Sequence, residues 1–213
     1  MRLLVTAGPT REYIDTVRFL SNASSGKMGF AVATNAASRG HDVILIAGPV
    51  DLPDPENVDV VRVVSTADMY TAAVAAFETC DAAVMAAAPC DFRPRTVQPL
   101  KLAKTGADFH LDLEKTIDIC AELGKVKGNR VVIGFAMEDH DHKAHAEEKL
   151  ARKRCDAIVL NSVDTLAADT ATIEIFRPAV GWSDPISGRK SDLASAIIDL
   201  IEETQGLRSA SRQ

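Results

Sequence analysis

The sequence predicts an α/β fold of three layers, with helices on both faces of a mostly parallel sheet. Two observations predict it. Short β-rich apolar runs alternate with helical segments along the chain, which is the pattern of βαβ units. The run "DAAVMAAA" (residues 81–88) is apolar on both sides of the pleat, as strands covered by two helix layers are. A third observation sets the exception. Residues 91–113 carry Pro94, Pro99 and two spaced lysines but no long apolar run, so they read as an irregular flap beginning where a strand ends.

The elements follow in order. "RLLVTAG" is the first strand, and Lys27–Ser38 (KMGFAVATNAAS) is a helix with Ser24 or Ser25 as its cap. "HDVILIAG" and "VDVVRVV" are strands, after which Thr66 caps a helix running to about Thr79. Beyond the buried run and the flap come "RVVIGFAM", a charged helix Lys143–Arg154, "CDAIVL", "TATIEIF" and the closing helix "SDLASAIIDLIEE". Together they describe a Rossmann-like three-layer sandwich, one domain over 1–205 with its flap at about 91–113. The tail 206–213 is expected to be flexible.

Composition narrows the function. Thirty acidic against 24 basic residues leave a net charge of −6, which argues against a bulk nucleic-acid binder. Any anionic ligand must therefore be met by local cations. Four scattered cysteines without a C-x-x-C pair read as reduced thiols. No secretory leader and no membrane-length apolar run is found, so the expectation is a cytoplasmic protein without a membrane partner.

"SNASSGKMGF" (21–30) crowds hydroxyls, glycines and a lysine before a helix, which suits an anion at a helix start. A triphosphate P-loop fails here, because Ser21 stands where its first glycine belongs. A dinucleotide oxidoreductase also fits poorly. Asn22 and Met28 replace two of its glycines, and Tyr13 and Tyr70 each have valine, not lysine, four residues on. Arg11 and Arg18 could bind phosphate or carboxylate, or merely pair with Glu12 and Asp15. His140, His142 and His145 meet no metal motif and read as an exposed turn, so no protein metal ligand is assigned. Cys90 reads as inert packing.

The ordered set "TAGPTREYIDTVRFLSNASSGKMG", "AAPCDFRP", "KLAK", "GFAMED" and the lysine-rich helix before "DAIVLNSV" closely resembles the phosphopantothenoylcysteine synthetases, over nearly all of 2–203. These are the phosphopantothenate–cysteine ligases of the DNA/pantothenate metabolism flavoprotein C-terminal domain family. With the match starting at Arg2, the resemblance is to the stand-alone form. It implies a ligase of coenzyme A biosynthesis that joins 4′-phosphopantothenate to L-cysteine through an acyl-nucleotide. The co-substrate it implies is CTP rather than ATP, with Mg²⁺ and no tightly bound flavin. It also implies a homodimer, with a separate decarboxylase as a prospective partner. The competing readings are an NAD(P)-dependent oxidoreductase and a non-catalytic nucleotide-binding regulator.

The resemblance assigns residues too. Asn22, Lys101 and Arg18 take catalytic positions, Asn22 at the acyl group and Lys101 on the flap over the phosphates. Ser24, Ser25, Gly26, Lys27, Ala86, Ala87, Asp91, Lys101, Ile117, Asp118, Ile119, Phe135, Lys149 and Lys153 take nucleotide-binding positions. On residue type alone, Phe135 reads as core and Lys149 and Lys153 as a solvated helix face. The sequence departs from the family at Ala88-Pro89-Cys90, Phe92, Lys101-Leu102-Ala103-Lys104 (one cation fewer), Thr116-Ile117-Asp118-Ile119 and Leu160-Asn161-Ser162.

Overall fold

The computed structural model describes residues 1–104, 108–138, 140–162 and 168–210, with backbone only for 209 and 210. Six parallel strands form the centre of its main sheet: β1 (Arg2–Ala7), β4 (Asp42–Ala47), β5 (Asp59–Arg62), β6 (Ala82–Met85), β9 (Val131–Ala136) and β10 (Ala157–Asn161). They lie in the order β5-β4-β1-β6-β9-β10. Antiparallel β11 (Thr170–Arg177) extends the sheet, and β12 (Gly181–Trp182) and β13 (Ile186–Arg189) pair with it. The chain order reverses between β1 and β6, which makes their carboxyl ends the switch point of a doubly wound sheet.

Side-chain alternation along the strands builds the layers. Leu3, Val5, Val43 and Leu45 face α1 (Lys27–Ser38) and α5 (Lys190–Ala210). Leu4, Ile44 and Ile46 face α2 (Thr66–Phe77), α3 (Ile119–Val126) and α4 (His142–Lys153). Every one of these seven strand residues is buried. Both faces being covered explains the unbroken apolar runs in the sequence.

Two antiparallel ribbons occupy the segments that looked irregular. β2 (Arg11–Tyr13) pairs with β3 (Phe19–Ser21), and β7 (Phe92–Pro94) with β8 (Leu113–Lys115). The second ribbon is the base of the flap, where Pro94 is tolerated because a two-stranded ribbon has only edge strands.

Several expectations are corrected. Neither Ser24 nor Ser25 caps α1. The N-cap is Gly26 in the left-handed region (φ 74°), without a side-chain cap bond, because the chain turns too sharply there for a serine backbone. Ser65, not Thr66, caps α2, through a capping box with Asp68. Thr66 is buried and bonds the Thr10 hydroxyl at 2.8 Å. Helix α3 was not foreseen. Helix α5 runs past the expected domain end to Ala210, and Arg208 donates to the carbonyls of Asn129 and Arg130, both at 2.8 Å, and pairs with Asp156, while 211–213 of the expected tail lie outside the described residues.

Candidate functional site

A cavity of about 800 Å³ opens at the switch point. Its floor forms where β1 and β6 stop pairing. The last link is an isolated bridge between Pro9 and Ala88, with the Ala88 N–H donating to the Gly8 carbonyl at 2.9 Å. Beyond it the two segments diverge, one into the first ribbon and one into the flap.

Buried Thr10 fastens them together again. Its hydroxyl accepts from the Cys90 N–H at 2.8 Å. The backbone N–H of Thr66, its hydroxyl partner, donates to the buried Glu12 carboxylate at 2.8 Å. Cys90 itself is buried, its thiol 3.5 and 3.6 Å from the Thr10 and Leu20 carbonyls, and burial pushes that thiol up. That is the behaviour of a packing residue.

One wall is the turn 22–28. The Asn22 amide donates to the carbonyls of Ala88 (3.1 Å) and Pro89 (2.9 Å). Pro89, whose ring removes an N–H, therefore contributes through its carbonyl. Ser24, Ser25, Gly26 and Lys27 line the cavity at the start of α1, where backbone N–H groups and the helix dipole favour an anion. Lys27 Nζ pairs with Asp169 at 2.5 Å. Gly29, one turn inside, lets α1 approach β1 closely: a Cβ there would lie 2.5 Å from the Ala7 Cβ.

The opposite wall comes from the far half of the sheet. Asp118 caps α3, accepting from the Ala121 N–H at 3.1 Å. The same carboxylate pairs with Lys153 at 2.9 Å and Arg152 at 3.3 Å. Burial raises its pKa, but the Lys153 hydrogen bond and charge outweigh that and hold the carboxyl below its ordinary range. Lys149, one turn before Lys153, is 3.7 Å from Glu138. Burial and the Lys153 charge hold its ammonium down, against a smaller upward pull from Glu138. Ala86, Ala87, Asp91, Ile117, Ile119 and Phe135 complete the lining among the assigned residues.

Fourteen of the sixteen assigned residues thus face one cavity. The two others, Arg18 and Lys101, do not line it. Arg18 grips Asp15 at the tip of the first ribbon and donates to the Leu102 carbonyl at 2.6 Å. Asp15, a fully buried carboxylate, also accepts the Leu102 N–H at 3.1 Å. Lys101 is exposed beside this clasp. Arg11 does not pair with Glu12 but lies over the Phe19 ring at 4.5 Å.

Six basic side chains (Lys27, Lys115, Lys149, Arg152, Lys153 and Lys190) face the cavity against two acidic ones, Asp91 and Asp118. An acidic protein has gathered its cations where a polyanion would sit. Lys190 was missed by sequence reasoning. It opens α5 directly after an edge strand, a position without a motif, yet it is buried and its N–H donates to the Asp169 carbonyl at 2.9 Å. Among the described residues, no group of three histidines, cysteines or acids could hold a metal ion, and no helix is long and apolar enough to cross a membrane.

Comparison with known proteins gives concordant results. The family model described as DNA/pantothenate metabolism flavoprotein C-terminal domain matches residues 1–204. A "Cysteine/Cysteine sulfinic acid decarboxylase" from an unknown prokaryotic organism is 47% identical over 164 residues, 76% of this chain and 46% of that protein. The "Coenzyme A biosynthesis bifunctional protein CoaBC" of Bacillus subtilis is 42% identical over 179 residues, 82% of this chain and 44% of that protein. The crystal structure of the C-terminal domain of a protein of the same name superposes with a TM-score of 0.81 at 37% identity, covering 95% of this chain and 94% of that one. The chain spans about half the length of the curated relatives it matches.

Proposed function

Because the chain belongs to the DNA/pantothenate metabolism flavoprotein C-terminal domain family, we propose that it is a ligase of coenzyme A biosynthesis, joining 4′-phosphopantothenate to L-cysteine. The observation that carries this reading is the cavity itself. A helix-start anion turn and a lysine pair face each other across a space that gathers six cations.

The carboxylate of 4′-phosphopantothenate attacks the α-phosphate of a nucleoside triphosphate, CTP by preference, and pyrophosphate leaves with the Mg²⁺ that accompanied the substrate. The amine of cysteine then attacks the acyl carbon, the nucleotide monophosphate departs, and the nitrogen loses a proton as the amide forms. The protein supplies position and charge. Lys149 and Lys153, four apart on one face of α4, both reach one ligand, while Phe135, Ile117 and Ile119 offer apolar surface to the base. Asn22 donates to the acyl carbonyl. In the free protein its amide donates to two backbone carbonyls, and substrate takes over one of those hydrogen bonds. Lys101, carried by the flap, compensates charge that builds on the leaving pyrophosphate, and Arg18 holds the flap through Leu102.

A second copy of the chain is the natural cover for the two ribbons. Tyr13, Val17 and Phe19 on the first and Phe92, Val97, Leu100 and Leu113 on and around the second are all exposed, Leu100 by 76%. Such clustered apolar exposure favours a protein interface. Light scattering at micromolar concentration tests it, a fully active monomer being the contrary result. A separate decarboxylase that consumes the product fits the same reading. The deciding experiment for the reaction is pyrophosphate release with CTP or ATP, 4′-phosphopantothenate and cysteine. Release that depends on both acceptor substrates supports the ligase, and none with either nucleotide excludes it.

A further inference from the structure

Two thiols meet beside the cavity. The sulfur atoms of Cys120 and Cys155 are 3.5 Å apart and both residues are buried. Local backbone features bring them there. Arg154 takes a left-handed conformation (φ 55°) that ends α4 and turns the chain back, so that the Cys155 N–H donates to the Leu150 carbonyl at 3.0 Å. Gly124 lets α3 press on that turn: a Cβ on it would fall 1.9 Å from the Lys153 carbonyl oxygen. Cys120, one turn earlier on the same face of α3, then meets Cys155.

Two packed thiols could serve simply as small apolar side chains. Two features distinguish this pair. Cys120 is among the residues that line the cavity and Cys155 is not, so the cavity approaches the pair from the Cys120 side. The hydrogen bond with Cys155, reinforced by the charges of Lys153 and Lys149, holds the Cys120 thiol down against burial, while the same contact and burial push Cys155 up. Cys90 also lines the cavity, but neither it nor Cys80 has a thiol held down. Burial drives the Cys80 thiol up to about 11 and raises Cys90 too, and neither has a sulfur partner among the described residues.

We propose that Cys120 and Cys155 are a redox modification site, a dithiol that a small hydroperoxide entering the cavity converts to a disulfide, and that this disulfide switches the cavity off. The Cys120 thiolate attacks one peroxide oxygen. The O–O bond breaks, the departing oxygen leaves as water or an alcohol with the proton Cys120 gave up, and Cys120 becomes a sulfenic acid. The Cys155 sulfur attacks that sulfur, the S–O bond breaks, and water leaves with the Cys155 proton. The dithiol loses two electrons and the peroxide gains them.

A disulfide bond is about 2.05 Å long, so sulfurs that start 3.5 Å apart close by roughly 1.5 Å. The closure pulls on the segments that carry Asp118 and Lys153, each two residues before its cysteine. This part rests on reading the cavity as the nucleotide site. A displacement of about 1 Å in positioning groups can cost roughly a hundredfold in rate.

The test treats the whole protein with stoichiometric hydrogen peroxide, then reads intact mass and disulfide-linked peptides, CTP affinity and turnover. The expected result is a Cys120–Cys155 peptide pair, a loss of two hydrogens in mass, turnover down by about a hundredfold, and full recovery with dithiothreitol. Cys155→Ala should form no intramolecular disulfide, and Cys120→Ala should resist peroxide at this site. Oxidation of Cys80 or Cys90 first, or intact thiols at 120 and 155, overturns the site. A disulfide that leaves CTP affinity and turnover unchanged overturns the switch. If the reduced protein neither binds nor turns over with CTP or ATP, the ligase reading fails, while the peptide map still decides the modification by itself.

Discussion

The ammonium of Lys153 donates to the carboxylate of Asp118 at 2.9 Å, so two side chains that would each serve a nucleotide hold one another in the free protein. Asp118 simultaneously caps α3. The carboxylate thus ties the opening turn of α3 to the last turn of α4, and an incoming polyanion must compete with it for Lys153.

Asp118→Ala should therefore destabilise the fold. Loss of an N-cap costs about 1 kcal/mol, which at this chain length lowers Tm by roughly 2–4 °C. Asp118→Asn keeps a capping oxygen and should cost less. The sign of the pH dependence follows from the carboxyl being held below its ordinary range. Its contribution is complete above the unfolded pKa of about 3.9 and is lost as pH falls through the folded value. Both variants should flatten the acid limb of a stability-versus-pH curve measured by urea unfolding. An unchanged limb would contradict the pairing.

Nucleotide affinity should fall with rising pH earlier than an ordinary lysine would allow. Lys149 must be charged to bind phosphate, and burial with the Lys153 charge lowers its pKa from 10.5. Lys149→Arg remains charged throughout and should remove that part of the pH dependence. Titration calorimetry with CTP from pH 7 to about 10 checks it, the window following from the lowered lysine pKa.

Asn22→Ala should slow turnover by roughly 10² to 10³, the usual cost of one positioned donor. It should also loosen the link from the anion turn to the strand end at Ala88 and Pro89. Because Asn22 is exposed, the Tm should change by only a few degrees. Single-turnover kinetics alongside calorimetry separate the two effects, and normal turnover would remove Asn22 from the mechanism.

Lys101→Gln should lower kcat by about 10² to 10³ with little change in KM for phosphopantothenate, and Lys104→Gln should cost less. Asp15→Asn offers an independent check on the flap. Its buried carboxylate accepts the N–H groups of Val17, Arg18 and Leu102, so the amide should free Leu102 and speed hydrogen exchange there. If Lys101→Gln turns over normally, the charge on pyrophosphate is met elsewhere, with Lys104 the first alternative.

Gly29→Ala should destabilise the domain by about 1–3 kcal/mol, the usual cost of overpacking. Its new Cβ would lie 2.5 Å from the Ala7 Cβ and 3.0 Å from the Thr6 carbonyl oxygen. A thermal melt within a degree of the parent would show that α1 can shift outward freely.

By itself the sequence determined the three layers, the strands and helices with strong periodicity, and which short segments supply the cavity. The reason is local. The unbroken apolar runs "LLVTA" and "VILIA" report two covered faces, and ligands of such sheets bind at strand ends, where a motif such as "SNASSGKMG" is contiguous. The tertiary structure alone decided what is paired across distance. Asp118 with Lys153 and Cys120 with Cys155 are both 35 residues apart, and they meet only because Gly124 lets α3 lie against the end of α4. It also decided that Gly26 and not a serine begins α1, that Lys190 is buried at the cavity, and that Lys101 stands beside the Asp15 clasp and off the cavity wall. Caps, burial of single charges and the seat of a loop depend on which backbones come into contact, and no spacing within one segment encodes that contact.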